Sequence, residues 1–277
     1  MKAGLDVGSS LIKAVWKRGE EYHFASTADY SLQGIIAAMK CDGIQKILRV
    51  GNGPLPEQDL TRAITQAGAD VEVQILPGDS IDTEIRWQAA GTRKLLEREL
   101  QQPESFLLVS LGTGTSYTFV SGDHYQRFPL GNSLSGGTLL GESRALGFGS
   151  YDAFAAAASS GTPQHLLFKE LFPALNGTVQ GEFVVSSGGH LNEDSSLEDQ
   201  CATKISTVGI ATLRDVLILG NIPPFSSTQD VVYIGSTINR TPLLKRMMAG
   251  YSIALGKKPH FPENGEFALA LGAYCSE

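Results

Sequence analysis

The chain is 277 residues long, with 22 Lys and Arg against 29 Asp and Glu, a net charge of −7. That acidic balance excludes broad nucleic-acid binding, which needs clustered cations to neutralise phosphates. No run reaches the roughly 18 apolar residues of a membrane helix, and at roughly 150 residues per domain the length fits one large or two modest domains.

Asp6 stands where a leader peptide would have its apolar stretch. The three cysteines, Cys41, Cys201 and Cys275, are far apart and show no CxxC spacing. Neither a disulfide framework nor a structural zinc site is expected, and the five histidines show no ligand spacing. The expectation is a reduced, soluble, cytoplasmic protein with no membrane partner and no nucleic acid. Glycine is in excess, 31 of 277, and bunched.

In chain order, Lys2 to Val7 reads as a short apolar strand ending in Gly8-Ser9-Ser10, followed by strands at Leu11–Lys17 and Tyr22–Ser26. Leu32, Ile35, Ile36 and Met39 recur at helical spacing. A strand at Lys46–Val50, a helix at Pro56–Ala67 and a strand at Val71–Leu76 follow, then a long helix from Ile81 to Leu100. Phe106 to Leu111, Gly112-Thr113-Gly114-Thr115, Ser116 to Ser121, and His124 to Phe128 repeat the opening pattern of strand, glycine turn, strand, turn, strand. This predicts a duplicated domain, with boundaries at 1–103 and 104–277. Leu130 to Gly149 is punctuated by glycine and serine, and Tyr151–Phe172 and Cys201–Leu219 read as helices. Thr203, Ser206, Gly209 and Thr212 lay small residues along one side of the latter. Val231 to Ile234 is a last buried strand, Thr241-Pro242 opens a helix, and Asn264 is placed to cap the final one.

Three constellations carry chemistry. Asp6 closes a strand just before a turn of small residues, where backbone N–H groups can approach phosphate oxygens and the carboxylate can hold Mg²⁺. Lys13 shares strand parity with Leu11 and Val15, a costly place for an ammonium unless an anion awaits it; the alternative is a plain hairpin with an edge lysine. Gly112-Thr113-Gly114-Thr115-Ser116 repeats the logic of the first turn, and two such turns across a cleft would grip a nucleotide from both sides. Val232-Tyr233-Ile234-Gly235-Ser236 puts a glycine at a strand end before a helix, a place for an adenosine or an ordinary connection.

In this order the segments match the two phosphate segments and the adenosine segment of the actin-like ATPase superfamily. Within it the chain most resembles the type II pantothenate kinases. Met1 to Lys13 is similar to that family's MKxGxDxGGTxxK, with Gly8-Ser9-Ser10 where the family has GGT. Leu111 to Ser116 resembles its second phosphate turn. Arg127 and the run from Gly131 to Gly141 resemble RxGGTSxGGGTxxGL, and Tyr233 to Ser236 and Glu263 to Phe267 complete the likeness.

The resemblance implies an α/β fold of two RNase H-like (actin-like ATPase) domains around a nucleotide cleft that closes by hinge motion. It implies ATP with Mg²⁺, and phosphorylation of pantothenate to 4′-phosphopantothenate at the start of coenzyme A synthesis. Asp6 would organise the metal. Gly8, Ser9, Ser10, Lys13, Gly112, Thr113, Gly114, Gly136, Gly137, Gly235 and Ser236 would hold the nucleotide. Glu84 falls where the family has its general base; read alone, it is a solvated carboxylate on a helix surface. Lys13 would approach the transferred phosphate, Thr115 would lie beside the substrate, and Arg127 would hold it. The family also implies acyl-CoA as an inhibitor and a homodimer. The departures at Gly8-Ser9-Ser10 and Gly131–Gly141 bear on substrate identity more than on ATP. They leave two alternatives: a kinase of the same superfamily acting on another small molecule such as a sugar, and a nucleotide-binding regulator that transfers nothing.

Overall fold

The computed structural model describes residues 1–54, 56–77 and 81–276, with side chains at 57 and 81–83 left aside. Its elements are β1 (Lys2–Val7), β2 (Ile12–Arg18), β3 (Glu21–Ser26), α1 (Leu32–Cys41), β4 (Lys46–Val50), α2 (Glu57–Gln66), β5 (Glu72–Ile75) and α3 (Ile81–Arg98). There follow β6 (Ser105–Leu111), β7 (Thr115–Ser121), β8 (His124–Arg127), α4 (Gly136–Ala145), α5 (Tyr151–Ser160), β9 (Leu166–Leu167), α6 (Phe168–Leu171) and β10 (Val184–Ser186). The chain closes with α7 (Leu197–Leu219), β11 (Asp230–Ile234), α8 (Ser236–Asn239), α9 (Pro242–Ala254), β12 (Lys258–His260) and α10 (Ala268–Cys275). Among these, no helix is long and apolar enough to cross a membrane.

The first five-stranded sheet runs β3-β2-β1-β4-β5, and the second runs β12-β11-β6-β7-β8. Read from its far edge, the second is β8-β7-β6-β11-β12, so each sheet orders its strands third, second, first, fourth, fifth. In the first sheet β1–β2 and β2–β3 are antiparallel, and β1–β4 and β4–β5 are parallel. The parallel half recurs in the second, where β11 pairs with β6 and β12. The fold is therefore two RNase H-like α/β domains, the duplication that the paired glycine turns predict.

The chain forms two compact units, Met1–Glu104 with Val120–Arg127 and Phe261–Glu277, and Ser105–Phe119 with Phe128–His260. The sequence reading runs the second domain unbroken to residue 277; here the last helix instead belongs with the first unit. Glycines make that possible. A Cβ on Gly91 of α3 would lie 1.8 Å from Ala268 O, one on Gly272 of α10 1.8 Å from Trp87 O, and one on Gly4 of β1 2.0 Å from Ala270 O. Backbone thus meets backbone where α10 crosses α3 and β1, at distances that only glycine allows. The first unit's core is built from alternate and consecutive apolar residues of β1, β2 and β4 over α1, with Leu5, Val7, Trp16, Ile35, Ile36, Met39 and Ile47 all buried.

In the second unit the small-residue side of α7 does permit close packing. Thr203, Ser206 and Thr212 are buried, and a Cβ on Gly209 would lie 3.0 Å from Leu244 of α9. Leu244 and Met248 of α9 are core there. The expected helix Tyr151–Phe172 is a correction: α5 ends at Ser160. A Cβ on Gly161 would lie 2.1 Å from Glu198 O, so the chain turns against the start of α7. Pro163 then stands in a segment with no amide hydrogen to continue a helix.

Candidate active site

The turn between β1 and β2 is tight. Gly8 N–H donates to Leu11 O at 3.1 Å, and a Cβ on Gly8 would come within 2.8 Å of that oxygen. Ser9 and Ser10 stand exposed on its lip. Asp6 is 4% exposed, and its carboxylate Oδ2 accepts from Lys13 Nζ at 3.3 Å across the β1–β2 pair. The parity that places Lys13 on an apolar face thus gives it Asp6 as its anion. Burial pushes the Asp6 carboxyl above its ordinary 3.8, against the opposing pull of Lys13.

A third segment braces this turn, and the sequence reading did not single it out. Gly53 N–H donates to Val7 O at 2.7 Å. A Cβ on Gly53 would lie 2.2 Å from Gly8 O, and one on Gly51, at φ +87°, 2.8 Å from Asp6 Oδ1. The doublet Gly51-Asn52-Gly53 directly after β4 was the available signal: glycine beside a strand end marks close backbone approach.

Glu84 lies in the first turn of α3 and is half-buried. Its carboxyl is raised above the ordinary 4.5, first by burial and then by the negative charge of Asp6, while Arg127 and Lys13 pull it down. Asp6, Lys13 and Arg127 thus all act on the Glu84 carboxylate, and the four residues share one unit. Each is carried by a different element: β1, β2, α3 and the end of β8.

In the second unit the Gly112 carbonyl is the centre of the arrangement. It accepts from Gly136 N–H at 3.1 Å, from Ser135 Oγ at 3.1 Å and from Thr237 Oγ1 at 3.2 Å. Gly137 N–H donates to Thr113 O at 2.9 Å. The Gly112–Thr115 turn, the glycine-rich segment and the Gly235-Ser236 segment thus converge. Gly136 has no room for a side chain: its Cβ would lie 2.1 Å from Thr237 Oγ1. Gly235, at φ +108°, passes so close to the end of β6 that a Cβ would lie 2.3 Å from Leu111 O.

Two expectations take a different form here. The N–H groups of Gly136 and Gly137 are engaged by the turn behind them, so both glycines back the turn. Thr115 is 3% exposed, and its hydroxyl donates to Ser135 Oγ at 2.8 Å, which makes it part of the turn's support. Thr113 and Gly114 are the exposed residues of the turn. Ser135 and Thr237 were not foreseen; hydroxyls flanking glycines were the only local signal.

No family model matches the chain. It is 26% identical to the type II pantothenate kinase of Staphylococcus haemolyticus (strain JCSC1435) over 278 residues, covering 99% of this chain and 98% of that protein. It is 24% identical to the type II pantothenate kinase of Staphylococcus aureus (strain USA300) over 285 residues, covering 100% of both. Among solved structures, component A of (R)-2-hydroxyglutaryl-CoA dehydratase from Acidaminococcus fermentans aligns at a TM-score of 0.59 and 14% identity, covering 98% of this chain and 95% of that one. The chain thus shares its fold with that protein.

Proposed function

We propose that the protein transfers the γ-phosphoryl group of ATP to pantothenate, giving 4′-phosphopantothenate and ADP. The observation that carries this reading is the cluster of unit 1. A carboxylate of raised basicity, Glu84, lies under the combined charges of Asp6, Lys13 and Arg127. The end-to-end likeness to type II pantothenate kinases supports the choice of substrate.

In this reaction Glu84 takes the substrate hydroxyl proton as that oxygen bonds to the γ-phosphorus and the bond to ADP breaks. A carboxyl raised above 4.5 is a better base than an ordinary one. Lys13 supplies positive charge to the transferred phosphoryl group. Arg127 pairs with the substrate carboxylate through its planar fork. The Gly112–Thr115 turn supports the phosphates, and the Gly235-Ser236 segment supports the adenosine.

Magnesium fits the residues of unit 1: Asp6 offers a hard oxygen at a strand end, and Gly51 keeps a Cβ away from its Oδ1. Asp6 would hold the ion, directly or through water, and the ion would neutralise phosphate charge. The reading extends to a homodimer and to acyl-CoA as an inhibitor at Arg127, both carried over from the resemblance.

The test is Glu84→Gln, which keeps the side chain's size and removes its basicity. A general base contributes about 10²–10⁴-fold in rate, so kcat is expected to fall by that order. Both KM values and the melting temperature should stay near those of the wild type. Retention of more than about a tenth of kcat, above what that range allows, would contradict the assignment.

A further inference from the structure

We propose that Asp215, in α7 and outside every motif considered above, is the positioning residue of the second phosphate turn. This rests on reading the Gly112–Thr115 turn as phosphate-binding. Asp215 Oδ2 accepts two hydrogen bonds, from Tyr117 Oη at 2.8 Å and from Asn132 Nδ2 at 2.8 Å. Its other oxygen meets Arg214 Nη2 at 3.4 Å, on an exposed side chain.

The bond to Asn132 fixes which way that amide faces. With Nδ2 turned to Asp215, Oδ1 accepts from Leu134 N–H at 2.9 Å. The side chain therefore bridges α7 and the backbone of the glycine-rich segment. The Asn132 backbone is equally committed. It exchanges both hydrogen bonds with Thr115, each at 3.0 Å. Gly131 permits the approach, since a Cβ there would lie 2.5 Å from Thr115 O. Once Thr115 and Asn132 are paired, Thr115 Oγ1 reaches Ser135 Oγ, and Ser135, Gly136 and Gly137 fasten the carbonyls of Gly112 and Thr113.

Each link from Asp215 to the turn is thus a hydrogen bond within one unit. The only ionised group among them is Asp215, and bonds to ionised groups are about twice as strong as neutral ones. The Tyr117 hydroxyl is held well above its ordinary range, by burial first and by Asp215 second, so it stays a donor. The cluster serves order rather than proton transfer.

The test uses the intact protein and three variants: Asp215→Asn, Asn132→Asp, and the two together. Amide hydrogen exchange of residues 113–115 and 131–137 is read without ligand, and MgATP affinity by calorimetry. Asp215→Asn is expected to lower protection across both stretches, leave β1 and α3 protected as before, and weaken MgATP about 10- to 150-fold, the range of a lost bond to a charged group. Asn132→Asp, which sets two carboxylates face to face, should do the same. The double variant restores a carboxylate–amide pair with its polarity reversed, and should recover both protection and affinity. Unchanged protection in Asp215→Asn, or a double variant that recovers none, would overturn the proposal. Failure of the wild-type protein to bind MgATP would instead remove the phosphate reading of the turn, and the exchange data would still decide whether Asp215 orders it.

Discussion

At the end of β1, Asp6 is held in a place that favours its neutral form. Its carboxyl is raised because burial outweighs Lys13. A folded-state value above 3.8 means that the folded protein binds the proton more tightly than the unfolded one. The stabilising contribution is therefore present below 3.8 and lost as pH rises through the folded value. Above the folded value that contribution is absent, so the proposed cation-binding role of Asp6 comes at the expense of the fold. Asp6→Asn should accordingly melt no lower than the wild type at pH 7, because Lys13, the more exposed of the pair, keeps access to water. It should also lose the magnesium dependence of ATP binding, by about 10- to 150-fold if a charge-assisted contact is removed. Calorimetry with and without a chelator checks this; unchanged magnesium-dependent affinity would contradict it.

Asp6 and Lys13 were legible from local pattern, an acid at a strand end and a lysine on an apolar face, whereas Glu84 and Arg127 were named only through the resemblance to a family. Asn132, Ser135, Asp215 and Thr237 were not legible. Their roles depend on partners up to 125 residues away, as with Thr237 and Gly112, and no spacing rule reports such a pairing.

Among the elements, the stretch from Gly161 to Ser196 departs most from its sequence pattern. Apolar residues at Leu166, Leu167, Phe168, Leu171 and Phe172 suggest a helix, but β9 pairs with β10, and α6 followed by short 3₁₀ turns lies between them. Tertiary contacts hold it. His165 is 8% exposed. Its Nδ1 accepts from Gly188 N–H at 3.1 Å, which leaves the proton on Nε2, facing Ser206 Oγ of α7 at 2.6 Å. Ser206 in turn donates to Thr203 O at 3.0 Å. A second proton on the ring would set two N–H groups against each other.

Burial lowers the His165 value below the ordinary 6.5. The unfolded chain then binds the proton more readily, so this contribution to stability is complete above 6.5 and is lost as pH falls through the folded value. The melting temperature of the wild type should therefore drop faster on acidification from pH 7 to 5 than that of His165→Leu. The Glu170–His190 pair, at 2.6 Å on the same stretch, is present in both proteins and cancels in the difference. Parallel pH profiles would contradict this tautomer. The helix α3 shows the opposite case: its length and register were plain from sequence, but the crossing with α10 that holds it in place was not, because Gly91 and Gly272 are 181 residues apart and each alone reads as a weak point in a helix.

At the scale of the whole molecule, the repeated glycine turns announced a duplication, and the two sheets share one strand order. The return of α10 to the first unit follows from close glycine contacts that only a folded chain reveals. The proposed function turns on which hydroxyl is phosphorylated. The direct measurement is ADP release from purified protein with MgATP and a panel of pantothenate, hexoses and N-acetylhexosamines, with the product's mass identified. The account predicts turnover with pantothenate far above every sugar, and a product heavier by one phosphoryl group. Preferred turnover of a sugar, or tight MgATP binding with no turnover on any hydroxyl, would contradict it.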